Sequence, residues 1–428
     1  MSDVPPSPAI RFGTDGVRAA AGTWPLTEAG VRRMGRGIAA WAGGPGACVV
    51  VGRDPRESGP RLAAALEAGL LDGGARVVRL GVLPTAAVSC AAASLRADAG
   101  VMLTASHNPW HDNGVKVLCG DGRKPTDTES LEACFLAPPC PGGGVAEDHA
   151  DGAAPWRAAM PDVDLSGVRV LLDCASGAAH GHAARVLRAA GATVVQHDPA
   201  PTGRNINDGV GALHPPGREA LAATGCHLGI CLDGDADRIA LVDAEHGLLD
   251  GDDLLWLLRG AGDGPIIGTV MSNGGLEAAL GGRLHRTPVG DKHVAAALGG
   301  TGAEVGAEPS GHVLFQDGLP TGDGLYTALR VLSTLAGPGG RPPLPLPAAG
   351  WTRWPVAQDA VRFSGPRVDL TTLASTTAAR NAGNRLVVRY SGTEPKLRIL
   401  VEGQGRGEDA PEAWVARIRA EFEAALPG

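Results

Sequence analysis

Lysine is scarce in this 428-residue chain: four of its 38 basic residues (Lys116, Lys124, Lys292 and Lys396) are lysine, and the rest are arginine. With 46 acidic residues the formal net charge is −8. That balance argues against nucleic-acid binding and against a polybasic membrane anchor, while leaving room for a local cationic pocket. No apolar run of about 18 residues occurs, so no membrane-spanning helix is expected. The opening MSDVPPSP lacks the basic and apolar regions of a secretory signal. The eight cysteines include no Cys-x-x-Cys pair, which fits reduced cytosolic thiols better than a disulfide framework or a zinc site. No Gly-Lys pair exists, which removes a Walker-type phosphate loop. Nor is there a Gly-x-Ser-x-Gly elbow or a repeat of solenoid length. What remains is the expectation of a soluble, cytoplasmic, multidomain chain.

Hydrophobic residues make up 44% of the chain, and glycine (64) and proline (33) supply many turns without a collagen-like period. Strands and helices alternate along the first three-quarters, which predicts α/β layers. The pattern predicts helices over 26–41 and 60–71 and strands over 47–52, 76–80 and 100–103. Further on it predicts a strand–helix–strand unit over 168–196, a helix over 218–224 and a strand over 228–233. A third unit has helices at 252–259, 276–281, 292–298 and 323–335 with a strand at 265–271. Residues 137–155 and 336–350 have linker composition. The last part, with strands at 385–390 and 397–402 and a helix at 412–426, reads as a small α+β domain.

Five segments carry chemistry. Asp233-Gly-Asp235-Ala-Asp237-Arg238 follows an apolar strand. In an extended chain alternate residues share a side, so the three carboxylates would converge and repel unless a cation sits among them. Oxygen ligands without Cys or His favour Mg²⁺. An EF-hand fails, because Arg238 and Ala244 stand where its glycine and glutamate belong. Thr104-Ala-Ser106-His107-Asn-Pro follows the strand 100–103, at the end where α/β sheets place their sites, with Lys116 ten residues beyond Ser106. A serine beside a histidine and a rare lysine suits a nucleophile or phosphate carrier. Arg389-Tyr-Ser391-Gly392-Thr393-Glu-Pro-Lys-Leu-Arg398 suits an anion nest for a phosphate monoester. Glu308-Pro-Ser310-Gly-His312 offers groups for sugar hydroxyls, and Arg11–Arg18 supplies glycines and arginines.

In this order and spacing the segments resemble the α-D-phosphohexomutase family, over nearly the whole chain. Thr269–Gly275 and Pro288–Lys292 are similar to its glucosamine-phosphate branch. The resemblance implies a four-domain, heart-shaped architecture of three similar α/β domains plus a smaller C-terminal α+β domain. The domains would span 1–155 (phosphoserine loop), 156–249 (metal), 250–352 (sugar recognition) and 353–428 (phosphate binding). It implies that Ser106 carries phosphate and that Asp233, Asp235 and Asp237 hold Mg²⁺ together with Ser106. His107, Lys116, Arg18 and Arg238 would serve proton transfer and charge neutralisation. Glu308, Ser310, His312 and Lys292 would bind the sugar, and Arg389, Ser391, Gly392, Thr393 and Arg398 the distal phosphate. The implied reaction interconverts a hexosamine 6-phosphate and 1-phosphate, with a sugar 1,6-bisphosphate as intermediate and activator. Pro309 stands where the glucosamine branch usually has a polar residue, so a glucose, mannose or specialised-metabolite sugar phosphate is the alternative substrate. A metal-dependent phosphatase and a silent sugar-phosphate-binding protein are the other classes. A homodimer is left open.

Overall fold

Short apolar stretches such as Cys48–Arg53 (CVVVGR), Ala99–Leu103 (AGVML) and Leu228–Leu232 (LGICL) are buried on both faces, as strands covered by helices on both sides must be. In the computed structural model, which describes residues 9–13, 15–140, 143–260, 263–337, 339–391 and 395–426, they build three mixed sheets. The first runs Val17–Ala20, Asp112–Cys119, Ala99–Leu103, Cys48–Arg53, Arg76–Val82, Val145–Asp148. Its last four strands are parallel, and Asp112–Cys119 is antiparallel to both neighbours. The second sheet has Leu228–Leu232 at its centre, parallel to Arg169–Asp173, which is parallel in turn to the edge strand Thr193–Gln196, and Ile239–Asp243 antiparallel on the other side. The third aligns Leu284–Thr287, Ile266–Thr269 and Val305–Ala307 in parallel, with Val313–Phe315 antiparallel at its edge. A fourth, antiparallel sheet of Val356–Arg362, Lys396–Glu402 and Arg385–Tyr390 carries the helix Pro411–Ala425. The architecture is thus three α/β layers and a smaller α+β unit, as the sequence pattern indicates.

Helix formation follows local chemistry. Glu28–Trp41 starts where the Thr27 hydroxyl accepts from the Gly30 N–H at 3.1 Å, a side-chain N-cap. Val31, Met34 and Ile38, spaced three and four apart, bury one face. Thr85–Ser94 is buried from Thr85 to Ala92; lacking a polar face, it shows no helical period and was not anticipated. Asp112–Cys119 was also not read as a strand, because it begins with polar residues and carries Lys116 inward. The stretch 137–155, expected to be linker, contains the edge strand Val145–Asp148 and the start of the helix Ala154–Ala158. An edge strand needs only one hydrogen-bonded neighbour and little apolar content, so composition hides it.

One apolar core runs through the first three units, linking Val50 and Ala87 with Val170, Ile230, Leu254 and Leu329. The fourth unit has its own, around Ile399, Trp414, Ile418 and Phe422. Among the described residues no helix is long and apolar enough to cross a membrane.

Candidate active site

In each of the first three units one loop leaves the carboxyl end of a sheet strand and turns into a common cleft. These loops are 104–109 after Ala99–Leu103, 233–238 after Leu228–Leu232, and 308–312 after Val305–Ala307. The cleft encloses about 920 Å³. Arg18, His107, Arg238, Glu308, Ser310 and His312 line it, so six of the expected residues meet there.

Ser106 is buried and its backbone is left-handed, at φ 52°. Its Oγ donates to Asp233 Oδ2 at 2.8 Å and stands 3.4 Å from His107 Nδ1. Its N–H donates to Thr104 Oγ1 at 2.8 Å, and Thr104 Oγ1 donates to Asp54 Oδ2 at 2.7 Å. Its carbonyl accepts from Arg56 Nη2 and Asn207 Nδ2, both at 2.9 Å. Arg56 also donates to the carbonyls of Asn108 at 2.8 Å, Asp112 at 3.0 Å and Pro109, and pairs with Asp54 at 2.8 Å, both side chains being fully buried. One guanidinium therefore ties the whole serine loop. Asp54, Arg56 and Asn207 were missed in the sequence, where the only cue is the Asp-Pro-Arg that follows the strand Cys48–Arg53.

The carboxylates of Asp233, Asp235 and Asp237 are buried, with one oxygen from each inside a 4.8 Å group. They converge through a tight turn with Ala236 at φ 63°, which corrects the expectation of extended alternation. Gly234 is required there, since a Cβ would lie 2.6 Å from the Ser106 carbonyl oxygen. Lys116 Nζ donates to Asp235 and Asp237, each at 2.7 Å, and pairs with Asp15 at 2.9 Å. Thr85 Oγ1 donates to Asp235 Oδ2 at 2.6 Å. Asp235 Oδ1 and Asp237 Oδ1 are buried without a hydrogen-bond partner. Orphaned buried carboxylate oxygens are costly, and all-oxygen donors suit a hard cation; this set of residues fits a divalent metal.

The field follows from the packing. Burial, then Asp237 and Asp235, push the Asp233 carboxyl up to about 8. Burial works against the Lys116 ammonium, but Asp15, Asp235 and Asp237 outweigh it and hold its pKa well above the usual value. Burial, with Arg238 and Arg18 nearby, lowers His107 to about 4. Lys116 is therefore a fixed cation at neutral pH and His107 a neutral imidazole.

In the third unit Glu308 Oε1 accepts from the Gly290 N–H at 2.9 Å. Gly311, at φ +85°, leaves no space for a Cβ, which would sit 1.9 Å from the Ile239 carbonyl oxygen. The 308–312 loop is thereby pressed onto the second unit. Lys292 is exposed and lines a small side pocket with Lys116 and Lys124. Lys124, which fell outside every matched segment, is thus at the site.

The fourth unit's cations are elsewhere. Arg389 and Arg398 are cross-strand partners and line a separate recess of about 400 Å³ with Met271. Arg389 Nε is buried without a partner. Two like charges directly opposed are unfavourable unless an anion joins them. Ser391 is buried nearby; Gly392 and Thr393 lie outside the described residues.

Family models described as phosphoglucomutase/phosphomannomutase match the chain in four parts: alpha/beta/alpha domain I over residues 9–137, domain II over 157–247, domain III over 250–349 and the C-terminal domain over 373–425. The chain belongs to this family, the α-D-phosphohexomutases, and is an enzyme of the isomerase class that works by phosphoryl transfer. Within the family its similarity is to phosphoglucosamine mutases. It is 40% identical to that of Deinococcus radiodurans, covering 93% of this chain and 94% of the relative. It is 41% identical to that of Burkholderia cenocepacia, covering 92% and 94%. Among solved structures it is similar to a phosphoglucomutase/phosphomannomutase family protein from Burkholderia thailandensis, with a TM-score of 0.73, 25% identity and 96% of both chains covered.

Proposed function

We propose that the protein interconverts glucosamine 6-phosphate and glucosamine 1-phosphate through phospho-Ser106. The observation that carries this reading is Ser106 Oγ, 2.8 Å from Asp233 in a buried carboxylate–lysine cluster whose chain neighbours His107 and Arg238 line the cleft. Asp233, Asp235 and Asp237 would hold Mg²⁺ together with the serine phosphate, and the ion would supply charge neutralisation at the transferring group. In the first half-reaction the sugar O1 attacks phosphorus and passes its proton to His107, while the bond from phosphorus to Ser106 Oγ breaks and Oγ takes that proton up from His107. The products are a 1,6-bisphosphate and free Ser106. After the bisphosphate turns over, Ser106 Oγ gives its proton to His107 and attacks the 6-phosphoryl group, and the bond from phosphorus to O6 breaks as O6 takes the proton from His107. Lys116, Arg18 and Arg238 stay cationic and balance charge on the moving phosphoryl group. Glu308, Ser310 and His312 grip the sugar hydroxyls, with Lys292 at the margin. Arg389, Ser391, Gly392, Thr393 and Arg398 take the distal phosphate when the fourth unit swings over the cleft, a lid motion. No disulfide joins any of the eight cysteines, which fits a cytoplasmic setting.

Pro309 favours a second reading, since it offers the substrate neither an N–H nor a polar side chain: glucose or mannose phosphate in place of the amino sugar. A phosphorus NMR time course with Mg²⁺, a trace of 1,6-bisphosphate and each sugar phosphate in turn decides between them. Isomerisation of glucosamine 6-phosphate is expected. Turnover confined to glucose or mannose phosphate supports the second reading, and release of inorganic phosphate alone overturns both.

A further inference from the structure

Lys124 sits in the turn after Asp112–Cys119, yet its side chain is only 16% exposed. Its ammonium donates to one oxygen of Asp15 and one of Asp291. Asp15 belongs to the N-terminal loop, where its other oxygen pairs with Lys116 at 2.9 Å and Arg18 at 2.6 Å. Asp291 opens the helix Asp291–Thr301 of the third unit. Its Oδ2 also stands 3.6 Å from His312 Nε2, and His312 Nδ1 stands 3.7 Å from Asp237 Oδ1. Asp237 returns to Lys116 at 2.7 Å. Six ionisable side chains from three units thus form a closed ring. It is tight at the two lysines and slack at His312, whose separations exceed hydrogen-bond length.

The consequence of cutting the ring differs by position. Without Lys124, Asp15 keeps Lys116 and Arg18. Among the described residues, the buried Asp291 carboxylate keeps the Lys292 N–H, at 2.9 Å, as its one hydrogen-bond donor, with His312 Nε2 beyond hydrogen-bond length at 3.6 Å. An uncompensated carboxylate there would move toward water. The preceding residue would move with it, and Gly290 is the donor that holds Glu308 Oε1 at 2.9 Å.

We propose that Lys124 is a positioning residue: by bridging Asp15 and Asp291 it fixes the sugar-gripping groups of the third unit, Glu308 and His312, at a set distance from Ser106. This rests on the mutase reading. A ruler across the cleft serves that reaction well, because the sugar must present both ends to one phosphoryl centre and small misplacements are costly.

The test compares steady-state kinetics of the wild type with Lys124→Met, Lys124→Arg, Asp291→Asn and the Lys124→Met/Asp291→Asn double variant. Lys124→Met is expected to lower kcat/KM by about 10- to 100-fold, mainly through KM. Lys124→Arg, which can still bridge two carboxylates, should recover most of that loss. Asp291→Asn alone should raise KM similarly, and the double variant should be no worse than Lys124→Met, since both cut the same contact. An unchanged KM in Lys124→Met or Asp291→Asn overturns the inference, as does additive loss in the double variant. So does a loss that falls wholly on kcat and follows melting temperature, the mark of simple destabilisation. Should Lys124→Met not fold, Asp291→Asn and Lys124→Arg decide alone. A wild type that isomerises no sugar phosphate would instead sink the mutase reading itself.

Discussion

The serine that the chemistry needs is held in a conformation serine does not favour. A left-handed φ costs a non-glycine residue roughly 1–2 kcal/mol, and at Ser106 the hydrogen bonds from Arg56, Asn207 and to Thr104 offset it. Arg56 is central because it satisfies four loop carbonyls and the Asp54 carboxylate while fully buried. Arg56→Met should therefore cost about 3–5 kcal/mol, by leaving Asp54 as a buried, unpaired charge. The urea midpoint measures it, and the Asp54→Asn/Arg56→Met double variant should lose less than the single. A single variant within 1 kcal/mol of wild type would mean that the pair is not what ties the loop. At this scale the sequence was informative about reacting groups and silent about their supports. Ser106 and Asp233 stand out because their chemistry is unusual after an apolar strand, and Lys116 because lysine is rare in this chain. Asp54 and Asn207 do not, because one buried pair and one amide look like any polar turn until the chain is folded.

Among elements, the legible ones are those with a period or a strand-end loop. Glu28–Trp41 announces itself by its apolar stripe, whereas Thr85–Ser94, enclosed by two units, has none to show. The helix Gly251–Leu258 adds a testable electrostatic feature. Asp250 caps it, and Asp252 beside it accepts from the Asn273 N–H at 2.8 Å. Burial, then the Asp250 charge, push the Asp252 carboxyl up to about 7, while its Oδ1 has no partner. A folded-state pKa raised from 3.8 means that the folded protein binds the proton more tightly. The associated stability is fully present below about pH 4 and is lost as pH rises through 7. Asp252→Asn keeps an acceptor for Asn273 and carries no charge. Its melting temperature should gain on wild type by roughly 2–4 °C for each kcal/mol recovered, more at pH 8 than at pH 4. A difference between the two proteins that does not vary with pH would contradict the assignment.

For the molecule as a whole, the arrangement of units is what the sequence could not disclose. The Lys124–Asp291 and Ser106–Asp233 contacts join residues 167 and 127 positions apart, and no local pattern announces either. The family resemblance implied that Ser106 and Asp233 meet, and lysine scarcity was the hint to Lys124, which becomes meaningful once Lys116, Lys124 and Lys292 are found around one side pocket. The first three units share a core and present one cleft, while the fourth keeps its own core and its arginine recess apart. It is joined to the third by specific contacts: Glu402 accepts from the Gly274 N–H at 2.9 Å and pairs with Arg385, which donates to the Ser272 carbonyl at 3.0 Å. The Thr269–Gly275 segment, notable in the sequence for its resemblance alone, is thus a joint between units. In the mechanism proposed above, closing of that joint is the step by which Arg389 and Arg398 reach the distal phosphate. Whether one serine gives and takes back the phosphoryl group is decided by a chase. The protein is labelled with radioactive phosphate on Ser106, freed of excess donor, and mixed with unlabelled glucosamine 6-phosphate for single turnovers. The account predicts that label leaves the protein for the sugar, first as bisphosphate and then as monophosphate, and that Ser106→Ala takes up no label. Label that stays on the protein while the sugar isomerises, or that leaves only as inorganic phosphate, would contradict it.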